Sequence, residues 1–428
     1  MRGYKNGVDS LLQWQDLSAP LSTAQGVGNV PFQRWFKFKE AFSPKFVHDV
    51  IQRSSIEVKN ILDPFGGSGT TALTSQLMGI KPTTIEVNPF LADLIESKLT
   101  SYNSESLIDD WSYVMKIVDI QTPDLALLYK NAPKTLYNNS EDLRWIFNKE
   151  IIYRIAQYRE SFEKIEKKEN KNLLKVLLGA ILIPFSNVLI NGKGRRYRKN
   201  WQSLTYSTHS FDAALRQKVD DAIFDIVRYS RTKSEEYSLF RGDSRKLISE
   251  VETSDLVLFS PPYPNTFDYT DIYNVELWAL GYLNDSEDNK TLRSNTLRSH
   301  VQIKMSSSPQ PISSTLSETL DRLDGKRKEL WNKNIPDMIS YYFHDINIIM
   351  TESMRVLENN GMAVIVIGDS RYSDIKIDTT KITCELAKEI GFTIKDLQEI
   401  RIMKSSAQQG WAKNLSETAI FLEKKIKG

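Results

Sequence analysis

Ten residues constrain this chain more than any others: Leu62 to Thr71, LDPFGGSGTT. The apolar run VKNILDPF ends as a strand at Asp63. Three glycines, Gly66, Gly67 and Gly69, lead into a helix expected from Thr70 to about Met78 and closed by Gly79. A second strand, PTTIEVN (Pro82 to Asn88), follows. Strand, glycine loop, helix, strand is a right-handed β-α-β unit, the start of a parallel sheet. Glycines at a strand end let backbone approach a ligand closely, and the helix start offers free N–H groups. No Lys-Ser/Thr pair follows them, so the loop is not a P-loop, and the spacing is not GxGxxG. Without a lysine to meet phosphates, it suits an uncharged or zwitterionic adenosine ligand. Glu86 ends the second strand, where an acidic residue accepts hydrogen bonds from ribose hydroxyls. The competing reading is a tight turn beside a surface glutamate.

The β-α rhythm returns late in the chain, at YSLFRGDS (Tyr237 to Ser244), DLVLFSPPY (Asp255 to Tyr263) and GMAVIVIGDS (Gly361 to Ser370). The helix TTKITCELAKEIG and the strands FTIKDLQEIRI and ETAIFLEK then close it. Ahead of the glycine loop, FSPKFVHDVIQRS reads as a helix with Ser43 as N-cap and Pro44 at its first position. The expected class is therefore α/β, one doubly wound, mostly parallel sheet interrupted twice. Its core comprises residues 1–100, 237–283 and 336–428. Residues 101–236 form a mainly helical insertion, and 284–335 a polar insertion or mobile loop of little periodicity.

Composition closes several routes. One cysteine in 428 residues excludes disulfides within the chain, and four scattered histidines show no metal-ligand spacing. No secretory signal is visible. The most apolar stretch, Leu173 to Ile190, is interrupted by Lys175, Pro184, Ser186 and Asn187, so it reads as a buried helix rather than a membrane span. A cytoplasmic protein is expected. A net charge of +2 leaves any nucleic-acid surface to local clusters. NGKGRRYRKNW, read as an exposed loop, is such a cluster, with Lys193, Arg195, Arg196, Arg198 and Lys199 within seven residues. Lys404, in RIMKSSAQQGWAKN, belongs to a second.

The strand DLVLF stops at Ser260-Pro261-Pro262-Tyr263, where two prolines remove two donors and fix two φ angles. With DPFGGSGTT upstream, this resembles the S-adenosylmethionine-dependent DNA methyltransferases that modify exocyclic amines, N4 of cytosine or N6 of adenine. The resemblance implies a mostly parallel seven-stranded sheet with a reversed final hairpin, S-adenosylmethionine as cofactor and double-stranded DNA as substrate. It implies cofactor contacts from Phe42, Ser43, Pro44, Asp63, Pro64, Phe65, Gly66, Gly67, Gly69, Thr70, Glu86 and Asn88, with Asp243 and Ser244 on the adenine side. It makes Ser260, Pro261, Pro262 and Tyr263 catalytic: Ser260 and the Pro261 carbonyl accept the amine hydrogens, and Tyr263 stacks on an extruded base. The target-recognition region must then lie in 101–235, in 284–335, or in both. Ser260, rather than Asp or Asn, points to cytosine N4; adenine N6, an RNA substrate and a non-catalytic nucleic-acid-binding protein are the alternatives. A role in restriction-modification, beside a cognate endonuclease, follows from the resemblance alone.

Overall fold

The computed structural model describes residues 5–138, 144–191, 194–229, 236–265, 267–303, 309–404 and 414–425. The chain alternates helices and strands as follows. α1 (Pro44–Gln52) precedes β1 (Asn60–Asp63), α2 (Thr70–Leu77), β2 (Lys81–Glu86) and α3 (Pro89–Leu99). A helical block of α4 (Ser104–Ile117), α5 (Lys149–Phe162), α6 (Lys168–Leu182) and α7 (Thr208–Tyr229) intervenes. β3 (Ser238–Arg241) and β4 (Ser254–Phe259) lead to α8 (Ser286–Asn295), α9 (Ser314–Gly325) and α10 (Ile335–Val356). β5 (Leu357–Gly368), α11 (Thr379–Ile390), β6 (Thr393–Lys404) and β7 (Asn414–Glu423) complete the order.

Seven strands form one sheet in the order β6-β7-β5-β4-β1-β2-β3. β1 to β5 pair in parallel, and β7 runs antiparallel to both β5 and β6. This is the doubly wound sheet with a reversed final hairpin that the sequence led us to expect. Its centre is buried on both faces, which is why β4 and β5 read as unbroken apolar runs. Leu256 and Leu258 face one core with Phe46, Val47 and Val50 of α1, while Val257 and Phe259 face the other with Ile346 and Ile349 of α10.

Three local expectations change. NGKGRRYRKNW is not a loop throughout: Val188–Asn191 and Gly194–Tyr197 pair as an antiparallel hairpin, in which Val188 and Ile190 supply β-branched residues. α6 correspondingly ends at Leu182, just before Pro184. The polar stretch 284–335 holds two helices. Asp285 caps α8 through the N–H groups of Glu287 and Asp288. Ser313 caps α9, whose Leu316, Leu320 and Leu323 are buried at helical spacing among polar neighbours. A second small hairpin, Ser370–Tyr372 with Ile375–Ile377, follows β5. Among the described residues no helix is long and apolar enough to cross a membrane, and no group of side chains could hold a metal ion.

Candidate active site

The C-terminal ends of β1, β2, β3 and β4 open on one cleft of about 970 Å³. At β1 the chain turns sharply: Asp63 Oδ1 accepts from Phe65 N at 3.0 Å, Gly66 N donates to Ile85 O at 2.9 Å, and Gly69 N donates to Gly66 O at 2.7 Å. Gly67 and Gly69 have φ of 54° and 76°, a region L side chains rarely adopt. A Cβ on Gly66 would sit 2.5 Å from Thr84 Oγ1, so the loop lies flat on β2 only because it has none. Lys98, fully buried in α3, donates to Ser68 O at 2.7 Å and Gln33 Oε1 at 2.9 Å, fixing the loop from beneath.

Glu86 is built into the same turn. Its Oε2 accepts from Gly67 N at 2.7 Å and its Oε1 from Asn88 N at 2.8 Å. Asn88 Oδ1 caps α3 through Phe90 N and Leu91 N. Burial pushes the Asp63 carboxyl up to about 6 and the Glu86 carboxyl up to about 7, with the charge of Asp63 adding to the shift at Glu86. Pro64, Phe65, Thr70 and Phe42 also line the cleft. Ser43 and Pro44 do not; Ser43 Oγ caps α1 through Phe46 N at 3.3 Å, with Pro44 at its first position.

Asp243 and Ser244 line the adjoining wall below β3. Both oxygens of Asp243 are engaged by Arg245, at 2.8 Å from Nε and 2.8 Å from Nη2. Arg245 Nη1 also reaches the buried Asp345 of α10 at 3.0 Å. The Ser244 hydroxyl donates to the Pro64 carbonyl, clamping the glycine loop to β3.

Beyond β4, the rigid Ser260-Pro261-Pro262-Tyr263 segment runs along the cleft. The Tyr372 hydroxyl donates to Pro264 O at 2.8 Å, and the Tyr263 hydroxyl to Glu417 Oε1 of β7 at 2.7 Å. Asp268 caps the short helix Tyr269–Ile272 and pairs with Arg293 of α8 at 2.8 Å. His300 is buried beside Asp268, with Nδ1 3.0 Å from Gln302 Oε1, and burial lowers its pKa. Tyr273 is buried against the core: it stacks on Phe38 at 5.6 Å and donates to Glu40 at 3.0 Å. Sequence reasoning missed Glu417, Arg293 and His300, because no local spacing links them to the motifs; Arg401, which the RIMKSSAQQGWAKN cluster offered for DNA contact, is bonded to Glu417.

The basic cluster divides. Gly194 lines the cleft, so the hairpin stands at its rim. Arg196 and Lys199 are exposed. Arg195 lies 3.7 Å from Asp271. Arg198 instead donates inward, from Nε to Ser186 O at 3.0 Å and from Nη2 to Ile183 O at 3.3 Å. Lys193 and the side chain of Lys404 lie outside the described residues.

Acidic acceptors (Glu40, Asp63 and Glu86) surround a loop that carries no lysine or arginine. Such a donor set fits S-adenosylmethionine, which brings ribose hydroxyls, an ammonium and a sulfonium, and does not fit a polyphosphate. The family model described as DNA methylase, of the N6/N4 type, matches residues 10–97. Type II methyltransferase M.AvaI of Nostoc is 28% identical over 447 residues, covering 94% of this chain and 87% of its own. Type II methyltransferase M.BsoBI of Geobacillus stearothermophilus is 23% identical over 466 residues, covering 96% and 88%. The solved structure of TrmN from Thermus thermophilus superposes with a TM-score of 0.27 at 10% identity, over 89% of this chain and 48% of that one; the strand order, not that superposition, defines the fold. Motifs, cleft and relatives matched over most of their length agree, and the chain is similar to the S-adenosylmethionine-dependent DNA amino-methyltransferases, the family that modifies cytosine N4 or adenine N6.

Proposed function

We propose that this enzyme methylates the N4 amine of cytosine in double-stranded DNA, with the target base swung out into the cleft. One observation carries the reading: Ser260, a neutral hydroxyl rather than a carboxylate, lies with the Pro261 carbonyl in the cleft that also holds the glycine loop and Glu86. When bound, S-adenosylmethionine supplies an electrophilic methyl group on a sulfonium. Asp63, the Gly66–Gly67 backbone and Glu86 hold it, and Ser244 keeps their loop in place.

The protein's task at the other end is to make a poor nucleophile competent. An exocyclic amine shares its lone pair with the ring. Two acceptors aimed at its two hydrogens, Ser260 Oγ and Pro261 O, draw the nitrogen toward tetrahedral geometry and free that pair. Prolines fix these acceptors before the base arrives, so no reorganisation is needed at reaction. With the cofactor held by Asp63, Gly66, Gly67 and Glu86, the nitrogen would bond to its methyl carbon as the carbon–sulfur bond broke, and the cationic nitrogen would lose a proton to solvent. Such a product is acidic, so a strong base is unnecessary. Arg196 on the rim hairpin and Lys199 just after it contact DNA phosphates. The hairpin and the α8 segment, one from each insertion, flank the base entrance and form the target-recognition surface. In the cell we place the enzyme in restriction-modification, protecting the sites of a cognate endonuclease.

Nucleoside mass analysis of duplex DNA incubated with the protein and cofactor tests this. N4-methylcytosine is the expected product. N6-methyladenine would move the substrate to the other amine of the family, and methylation of RNA alone would overturn the DNA assignment.

A further inference from the structure

Glu417 belongs to no motif, yet it is almost fully buried beneath the catalytic loop. Arg401 of β6 donates to it twice, Nε to Oε2 at 2.8 Å and Nη2 to Oε1 at 3.0 Å. Oε1 also accepts from the Tyr263 hydroxyl at 2.7 Å. A carboxylate held by a guanidinium offers only lone pairs, so the direction of this last bond is fixed: the phenol proton points at Glu417. The Tyr263 oxygen is then left with lone pairs alone on its other side. Ser260 Oγ, 3.3 Å away, can only donate to it.

A serine hydroxyl is normally ambivalent, one donor and two acceptor sites on a free rotor. In this site the ambivalence is harmful. The target amine needs an acceptor for its hydrogens, and a hydroxyl that turned its proton toward the nitrogen would occupy the lone pair that must attack. We propose that Arg401, Glu417 and Tyr263 form a relay that commits the Ser260 proton away from the cleft and presents Ser260 Oγ to the target amine as an acceptor only. Glu417 is thus a positioning residue for methyl transfer. This rests on the reading of Ser260 as an amine acceptor. Burial, reinforced by the charge of Glu417, holds the Tyr263 phenol well above its ordinary pKa, so it keeps its proton across the working range. The relay gives a neutral hydroxyl the one-way polarity that a carboxylate has by nature.

The chain of bonds could instead only pin the loop to β7, and the two roles separate under substitution. Glu417→Gln preserves shape. Arg401 would hold the amide oxygen and the amide N–H would face Tyr263, reversing the phenol and turning the Ser260 proton toward the amine. Tyr263→Phe removes the relay but leaves Ser260 free to rotate. Single-turnover transfer to duplex DNA at saturating cofactor is the measurement, with melting temperature and cofactor affinity as controls for folding. Tyr263→Phe is expected to slow transfer about 10-fold and Glu417→Gln about 100-fold, the range spanned by one or two misdirected hydrogen bonds. The double variant should recover to the rate of Tyr263→Phe alone, since the introduced amide then has no route to Ser260. A Glu417→Gln rate within threefold of wild type, or a double variant as slow as the two losses multiplied, would overturn the relay. Ser260→Ala separates the two layers. If it transfers at the wild-type rate, the reading of Ser260 fails with the relay; if it loses transfer while Glu417→Gln does not, the relay fails alone.

Discussion

Glu86 reaches the glycine loop across 19 residues of sequence to bind Gly67 N, whereas Tyr263, the matching anchor of the Ser260–Tyr263 loop, reaches Glu417 across 154. The two halves of the cleft are built on these different scales. The cofactor half is a strand, a turn and a helix whose main polar links, Asp63 to Phe65, Glu86 to Gly67 and Asn88, lie within Asp63 to Asn88, with Lys98 and Ser244 bracing the loop from outside. The target half is assembled from distant pieces: Tyr372 reaches Pro264 across 108 residues, and Glu417, itself held by Arg401, reaches back across 154 to Tyr263. A locally closed turn can be carried as a fixed unit. A wall gathered from separate elements can vary without disturbing that unit. The two halves should therefore fail separately.

The largest effect is expected in the cofactor half. Gly66→Val drives a side chain into Thr84 Oγ1 and Ile95 Cδ1, which a Cβ alone would approach to 2.5 and 2.8 Å. Overpacking of this kind costs about 1–3 kcal/mol. The melting temperature should fall, and calorimetry should show no cofactor heat.

Next comes a pH effect. Burial lifts Glu86 to about 7 in the free protein, while hydroxyl donors from the cofactor favour the ionised form, so binding expels a proton. Cofactor affinity should rise from pH 6 to pH 8, with proton release visible as a buffer-dependent enthalpy. Glu86→Gln should bind more weakly and with little dependence on pH. The stability of the ligand-free fold should run the other way. The folded protein retains a proton on Glu86 that the unfolded chain has lost, so this contribution falls as pH rises from the ordinary 4.5 toward 7.

In the target half, Arg293→Ala should lower kcat/KM for DNA about 10-fold, equivalent to about 1.4 kcal/mol, with cofactor affinity unchanged. The smallest effects concern the rim hairpin. Arg196→Ala with Lys199→Ala should flatten the salt dependence of DNA binding by about two phosphate contacts. Arg198→Ala should leave that slope alone and cost about 1–2 kcal/mol of stability, because its guanidinium serves backbone carbonyls.

The same difference of scale explains what could be read from the sequence. Gly66, Gly67, Gly69 and Glu86 sit at spacings that suit a β-α-β turn, and the sheet expected from them is the one observed. The Ser260-Pro-Pro segment announces itself because consecutive prolines permit few structures. Arg198 was indistinguishable from Arg196 in a basic run, since the carbonyls it serves were set by where α6 ends. The polar stretch 284–335 concealed α9 because its apolar stripe of Leu316, Leu320 and Leu323 is thin. Asp243 read as an adenine acceptor; it lines the cleft, and its bond to Arg245, two residues on, could not be read from the sequence. Glu417 had no local signal; its meaning comes entirely from the reversed β7 placing it under Tyr263.

One variant tests the division most directly. Ser260→Ala removes a single oxygen from the target half, and its cofactor affinity and its methyl transfer to duplex DNA can be measured on the same preparation. The account predicts a cofactor Kd within about twofold of wild type and transfer reduced about 100-fold or more, in line with the loss of one preorganised polar contact to the reacting group. Transfer at the wild-type rate, or a cofactor affinity that collapses with it, would contradict the account.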